Sequence, residues 1–166
     1  MTKLVLEHPI DCDVETFWAH FFDRDLNARL FRELGFTHYE TVEQRDDATH
    51  VHRTVLAEPR PSVPAPLARL MGSSFRFTET GTFDKASGVW RFRMTPNTLA
   101  DKVRVEGRVH AVAAGERVTR HLAVDIEAKV FAVGAMIEQT FEKQIADGWT
   151  RGAEIENRWL RDARKG

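Results

Sequence analysis

The C-terminal segment constrains the fold most strongly. From about Val133 to Leu160, apolar or small residues recur every three or four positions and form one continuous stripe on a helix. The stripe consists of Gly134, Ile137, Phe141, Ile145, Gly148, Gly152, Ile155 and Trp159. A helix of about 28 residues is roughly 42 Å long, whereas helices of globular proteins average about 11–12 residues. A helix of this length can cross an entire sheet.

The residues before this helix predict an antiparallel sheet. A first strand (3–9) precedes two short helices (14–22 and 26–34). Six further strands span 36–44, 49–57, 74–84, 89–96, 102–113 and 117–129. The short turns between paired strands are typical of hairpins, and the later strands alternate apolar and polar residues, as in a sheet covered on one face. We predict an α+β fold in which a bent antiparallel sheet of about seven strands wraps around the long C-terminal helix.

Composition excludes several classes of protein. The 166 residues are enough for one ordinary domain, and we predict a single domain over residues 1–166. A net charge of −1 gives no field that favours nucleic acid, and one cysteine excludes an internal disulfide. We predict no stable membrane insertion, because no apolar run reaches the roughly 18–20 residues of a span. The N-terminus does not resemble a signal peptide, so we expect a cytoplasmic protein; its oligomeric state is left open.

A proline-rich segment interrupts the predicted sheet. Residues 57–66 hold four of the six prolines, which prevent regular strand pairing. With the residues that follow, this segment forms either a mobile apolar lid over residues 58–72 or a rigid turn packed on the core. The side chains that would form the lid are Val63, Leu67, Leu70 and Met71.

Three stretches carry a resemblance to a known superfamily. They are PIDCDVETFW (9–18), VFAVGAMIE (130–138) and RWL (158–160). With the order of elements, they resemble the START-like (SRPBCC) superfamily, which includes polyketide cyclases, pollen-allergen-type proteins and lipid-transfer domains; the second stretch is similar to an uncharacterised bacterial branch. The resemblance implies a helix-grip fold with a cavity for an apolar small molecule between sheet and helix. None of the three stretches is catalytic, so they indicate fold rather than activity.

The candidate ligand-binding side chains face each other across the predicted cavity. They are Phe77, Glu79, Trp90, Phe92, Met94, Val105, Val109, Leu122 and Ile126 from the sheet, and Ile137, Phe141, Ile145 and Trp149 from the helix. Gly134, Gly148 and Gly152 remove side chains from the helix face, although each costs about 1 kcal/mol of helix propensity relative to alanine. They indicate either close approach of another backbone or a need for room. A solidly packed core is the alternative.

A few polar residues are predicted on the apolar face. Glu79 lies in register with inner phenylalanines, where burial would raise its pKa and allow acid or base chemistry. Glu40 is also expected to point inward, and Arg120 shares the inner face near a strand end. The alternative for Glu79 is a structural pair with an arginine such as Arg76 or Arg93.

No motif predicts a metal or a cofactor. His50 and His52 share one face of a strand and could present two nitrogens to a metal. A third ligand would have to come from His38, His110 or His121. The alternation places most of these on the exposed face, so we predict no metal site. There is no phosphate-binding loop and no nucleophile motif, and Cys12 is interpreted as a packed residue before a helix.

The function that best fits these observations is binding or transport of an apolar or amphipathic small molecule, lipid-like or polyketide-like. Glu79 and Arg120 are possible polar anchors for it. One alternative is an enzyme of the cyclase or dehydratase type acting on a polyketide-like substrate, for which no catalytic residue is predicted. A second alternative is a protein-interaction subunit with a filled core and no ligand.

Overall fold

The computed structural model describes residues 1–60, 63–72 and 75–166. Its strands form a seven-stranded antiparallel sheet in the order β1-β7-β6-β5-β4-β3-β2. The strands are β1 (Thr2–Ile10), β2 (His38–Asp46), β3 (His50–Glu58), β4 (Phe77–Asp84), β5 (Val89–Pro96), β6 (Val103–Ala114) and β7 (Arg117–Ala128). The helices are α1 (Val14–Phe21), α2 (Arg24–Glu33), α3 (Ala65–Met71) and α4 (Gly134–Lys165). The predicted α+β helix-grip fold is confirmed.

The two short helices begin where side chains satisfy their first backbone N–H groups. Asp13 accepts a hydrogen bond from the Thr16 amide at 2.7 Å, and Asp23 accepts one from the Leu26 amide at 2.9 Å. Because Asp23 is the cap, α2 begins at Arg24, two residues before the predicted start.

The long helix lies towards one edge of the sheet. α4 contains 32 residues and continues past the predicted end at Leu160, through an exposed and charged last turn. It packs most closely against β1 and β7, whereas α2 contacts both β2 and α4. α1 packs over β6 and β7, and Phe21 and Phe22 at its end contact the Trp90 ring. The inner face of the sheet therefore has a region filled beneath α1 and an open region between α2 and α4.

The filled region is built from side chains that fold over glycines of neighbouring strands. The Trp90 ring occupies the space where a Cβ of Gly81 would lie, and a Cβ at Gly107 would come within 2.5 Å of the Phe92 ring. Both rings therefore pack directly onto backbone. The buried inner side chains of this region are Trp90, Phe92, Val109, Leu122 and Ile126.

The predicted facing of β2 is wrong. Glu40 is exposed, and Tyr39 faces the interior instead, paired with the fully buried Ala57 of β3. Phe36, from which the inward facing of Glu40 was inferred, precedes the strand and does not set its alternation. The β2–β3 register also shifts between Thr41 and Glu43.

The proline-rich segment includes a helix that the sequence did not predict. In α3, Leu67 and Met71 are buried against the core, while Leu70 is 40% exposed. Val63 packs against the core from the preceding loop. Residues 61, 62, 73 and 74 lie outside the described residues, so the predicted strand start at Ser74 does too. In the described part of the chain, β4 begins at Phe77. The lid over residues 58–72 stays a prediction.

Candidate functional site

A cavity of about 960 Å³ lies between α4, α2 and the open region of the sheet. Its volume is at the upper end of the range of small-molecule sites, roughly 300–1,000 Å³. Most of the wall is apolar. The larger apolar side chains that line it are Phe21, Leu30, Phe31, Leu34, Phe36, Val55, Val63, Phe75, Phe77, Met94, Val105, Met136, Phe141, Ile145 and Trp149.

The α2 wall was missed by the sequence analysis, although the helical spacing of its apolar residues was visible. Leu30, Phe31 and Leu34 line the cavity. The Phe31 ring stacks on Tyr39 of β2, with ring centroids 4.0 Å apart, and this contact fixes α2 against the edge of the sheet. Helical periodicity indicates an apolar face of α2 but does not identify what that face covers.

The three glycines of α4 have two different roles. A Cβ at Gly134 would lie 2.5 Å from the Ala128 carbonyl oxygen, so this glycine allows close approach of backbone. At Gly148 and Gly152, both of which line the cavity, no atom lies within 4 Å of the position of a Cβ. These two glycines therefore leave open volume against the helix.

Arg53 and Glu79 form a polar pair in the cavity wall. Arg53 Nη2 donates to Glu79 Oε1 at 3.4 Å, and Nη1 donates to the Phe21 carbonyl oxygen at 2.7 Å. Burial raises the pKa of Glu79, and the charge of Arg53 opposes this shift. The predicted partners were wrong, since Arg76 is exposed and Arg93 pairs with Glu106 on the outer face. Arg53 alternates with buried Val51 and Val55, a signal that could have identified it.

A second polar group surrounds Arg120, whose residue is only 3% exposed. Its Nη2 donates to the Trp149 carbonyl oxygen at 2.8 Å and lies 3.1 Å from His8 Nδ1. Burial, together with the charge of Arg120, lowers the pKa of His8 to about 4. Burial also raises the pKa of Glu156, against the effect of Arg120. Arg120 and Glu156 both line the cavity.

The structure separates the thirteen predicted side chains into two groups. Seven of them line the cavity: Phe77, Glu79, Met94, Val105, Phe141, Ile145 and Trp149. The other six are buried in the core without lining it: Trp90, Phe92, Val109, Leu122, Ile126 and Ile137. The strand alternation identified the inner face, but only the position of the covering helix decides which inner side chains border open space. Contact of any of them with a ligand stays a prediction.

Comparison with known proteins places this chain in a family. A family profile described as a protein of unknown function (DUF2505) matches residues 6–160. The chain belongs to the DUF2505 family. None of the curated proteins matches the sequence.

Solved structures share the fold of this DUF2505 chain at low sequence identity. An aromatase/cyclase from Streptomyces sp. R1128 is 15% identical, with 98% of this chain and 97% of that chain covered and a TM-score of 0.70. A protein from Thermus thermophilus is 17% identical, with coverage of 96% and 99% and a TM-score of 0.69. A START superfamily protein from Mycobacterium smegmatis is 12% identical, with coverage of 95% and 98% and a TM-score of 0.62. The DUF2505 chain therefore has the START-like helix-grip fold.

The histidines considered as metal ligands and the cysteine do not line the cavity. His50 and His52 stack 5.8 Å apart, and His110 and His121 stack 4.6 Å apart. Within residues 1–60, 63–72 and 75–166, no three His, Cys, Asp or Glu side chains are grouped so as to hold a metal. Cys12 is half-buried, and burial raises its pKa to about 11. Among the described helices, none combines the length and the apolar character needed to cross a membrane.

Proposed function

We propose that this DUF2505 protein, acting as a single domain in the cytoplasm, reversibly binds an amphipathic small molecule in the cavity beneath α4. The observation that carries the proposal is the open space at Gly148 and Gly152, where the helix backbone itself borders the cavity. A subunit with a filled core, considered above, would not need two helix-destabilising glycines facing empty volume.

The cavity wall supports a ligand with a large apolar body and few polar atoms. Apolar side chains from α2, α4 and the sheet form most of the surface. The charged lining residues are the Arg53–Glu79 pair, Arg120 with Glu156, and four exposed residues, Arg60, Lys143, Asp147 and Arg151. Burial of about 300 Å² of apolar ligand surface would contribute about 7 kcal/mol at about 25 cal/mol per Å². The loss of ligand motional freedom offsets part of this gain.

Filling the open volume tests the proposal. We expect Gly148→Leu to weaken binding of a neutral naphthylamine dye at least about tenfold, because Gly148 lines the cavity and the space at its Cβ position is open. Glu154→Leu, on the exposed face of the same helix, is the matched control and is expected to leave dye binding unchanged. Native mass spectrometry of gently purified protein is expected to show added ligand mass. Dye binding that survives in the folded Gly148→Leu variant would contradict the proposal.

A cyclase is the second candidate, because an ionisable carboxyl and a phenol line the same cavity. The pKa of Glu79 is raised by burial, and burial raises the pKa of Tyr39 to about 12. In a poly-carbonyl chain, the Glu79 carboxylate would remove a proton from a carbon between two carbonyl groups. The enolate would attack a distal carbonyl, forming a carbon–carbon bond, and the Glu79 carboxyl would return the proton to the resulting alkoxide.

Chromatography of a synthetic poly-carbonyl substrate tests the cyclase function. We expect catalysed ring closure in the wild type and loss of the excess over the spontaneous rate in Glu79→Gln. Glu116→Gln, in the exposed β6–β7 turn, is the control. Equal rates with and without wild-type protein would exclude cyclisation while leaving the binding function standing.

A further inference from the structure

Arg120 is a buried cation. Among the described residues, no carboxylate lies close enough to form an ion pair with it. The residue is 3% exposed, and its Nε has no hydrogen-bond partner there. The acidic group that influences it is Glu156, which forms no ion pair with it within the usual 4.0 Å. A charge left in a low-dielectric interior without an opposite charge is costly, so such groups are normally paired.

The contrast with Arg53 shows what Arg120 lacks. Arg53 is buried to a similar degree, but it has a carboxylate partner in Glu79, with Nη2 and Oε1 3.4 Å apart. The Glu156 carboxyl is also driven towards its neutral form, because burial raises its pKa. Of the two buried arginines described in the cavity wall, Arg120 is therefore the one without a carboxylate partner.

The surroundings of Arg120 hold its guanidinium in place. Nη2 donates to the Trp149 carbonyl oxygen, and the guanidinium carbon lies 4.7 Å from the centroid of the Trp149 ring. His8 is neutral above a pKa of about 4, so its Nδ1 accepts from Arg120 while Nε2–H donates to Thr150 Oγ1 at 3.0 Å. These contacts occupy Nη2. The Nε–H has no acceptor among the described residues, and the Arg120 side chain lines the cavity.

We propose that Arg120 binds the carboxylate of an amphipathic acid whose apolar body lies between α2 and α4. This inference rests on the proposed binding function and names the class of ligand. A single planar guanidinium suits a monoanionic carboxylate, which would accept a charge-assisted hydrogen bond from a donor other than Nη2, because Trp149 and His8 already occupy that nitrogen. A doubly charged phosphate would bring a second negative charge close to Glu156, which a single guanidinium does not balance.

Competition between matched ligands tests the proposal. Lauric acid and lauryl alcohol share one alkyl chain and differ in the head group, and each is used to displace the neutral naphthylamine dye. We expect the wild type to prefer the acid by about 10- to 100-fold, the usual effect of a hydrogen bond to a charged group. We expect Arg120→Gln to lose this preference while still binding the alcohol. Arg108→Gln, at an exposed arginine on the outer face of the sheet, is the control and is expected to keep it.

The outcomes separate this inference from the function on which it rests. Equal affinity for acid and alcohol in the wild type would overturn the carboxylate site and leave apolar binding intact. Failure of the dye and both ligands to bind would overturn both. If Arg120→Gln does not fold, NMR of carboxyl-labelled lauric acid bound to the wild type decides: the proposal requires the bound acid to titrate at a lower pH than the acid in detergent micelles. An unchanged or higher titration midpoint would overturn it.

Discussion

The filled and open regions of the inner face are built from the same strand alternation, yet they differ in what covers them. In the filled region, the Trp90 and Phe92 rings lie over Gly81 and Gly107, and no room remains. In the open region, α4 presents Gly148 and α2 closes the side, so the sheet and helices enclose a cavity of about 960 Å³. An inward-facing residue is therefore only a candidate for ligand contact until the position of the covering helix is known.

The largest expected difference between the two regions is in the cost of removing a side chain. We expect Trp90→Ala to lower the free energy of unfolding by about 3–5 kcal/mol, because the ring is 1% exposed and packs onto strand backbone. Met94→Ala is expected to cost less than about 2 kcal/mol, since Met94 already borders open volume. Urea unfolding of both variants measures the difference. Equal losses would show that the two regions are packed alike.

Substituting alanine for two glycines of α4 is expected to change the free energy of unfolding in opposite directions. Gly148→Ala should raise the free energy of unfolding by up to about 1 kcal/mol, because helix propensity improves and the methyl group meets no atom. Gly134→Ala should lower it, because the methyl group would collide with the Ala128 carbonyl oxygen. Thermal and urea unfolding at one pH provide the measurement. Destabilisation by Gly148→Ala would mean that this part of the cavity is closed.

The smallest expected effect is a pH dependence that originates in the cavity wall. The pKa of Glu79 in the folded protein is raised above its ordinary value of 4.5. The folded state therefore binds this proton more tightly than the unfolded state. The stability contributed by Glu79 is fully present below pH 4.5 and is lost as the pH rises through the folded pKa.

Urea unfolding between about pH 4 and about pH 8 checks this dependence. We expect the stability of the wild type relative to Glu79→Gln to decline across that range. Glu116→Gln, at an exposed turn, gives the reference curve. A wild-type curve that runs parallel to that of Glu79→Gln would show that Glu79 is not perturbed by folding.

The fold was largely predictable because its signals are local and periodic. The stripe of α4 placed the start of the helix within one residue of Gly134, and the turn between Asp84 and Val89 fixed a hairpin. The prediction of which side chains face the interior was wrong at β2, where Glu40 points outward instead of inward. There the tertiary contact between Phe31 and Tyr39, which a single strand does not encode, accompanies the observed orientation.

The polar part of the site was only half predictable. Arg120 and Glu79 follow directly from alternation in β7 and β4, and Arg53 follows from the same rule in β3 but was passed over in favour of His50 and His52. Glu156 could not be identified, because its role depends on how α4 is rotated above Arg120. The rotation of α4 about its axis is fixed by its contacts with β1 and β7. β7 immediately precedes α4 in the sequence, whereas β1 lies at the opposite end of the chain.

The two glycines of α4 that face open volume stand one helical turn apart, at positions 148 and 152. Each can carry a Cβ atom without meeting a neighbour, so longer side chains at these positions would reduce the volume of the cavity. Single substitutions at these two positions would therefore change the size of molecule that fits, while the sheet, α2 and the two buried arginines stay the same. A series of substitutions from alanine to leucine at these sites would show how the accepted ligand length depends on the open volume.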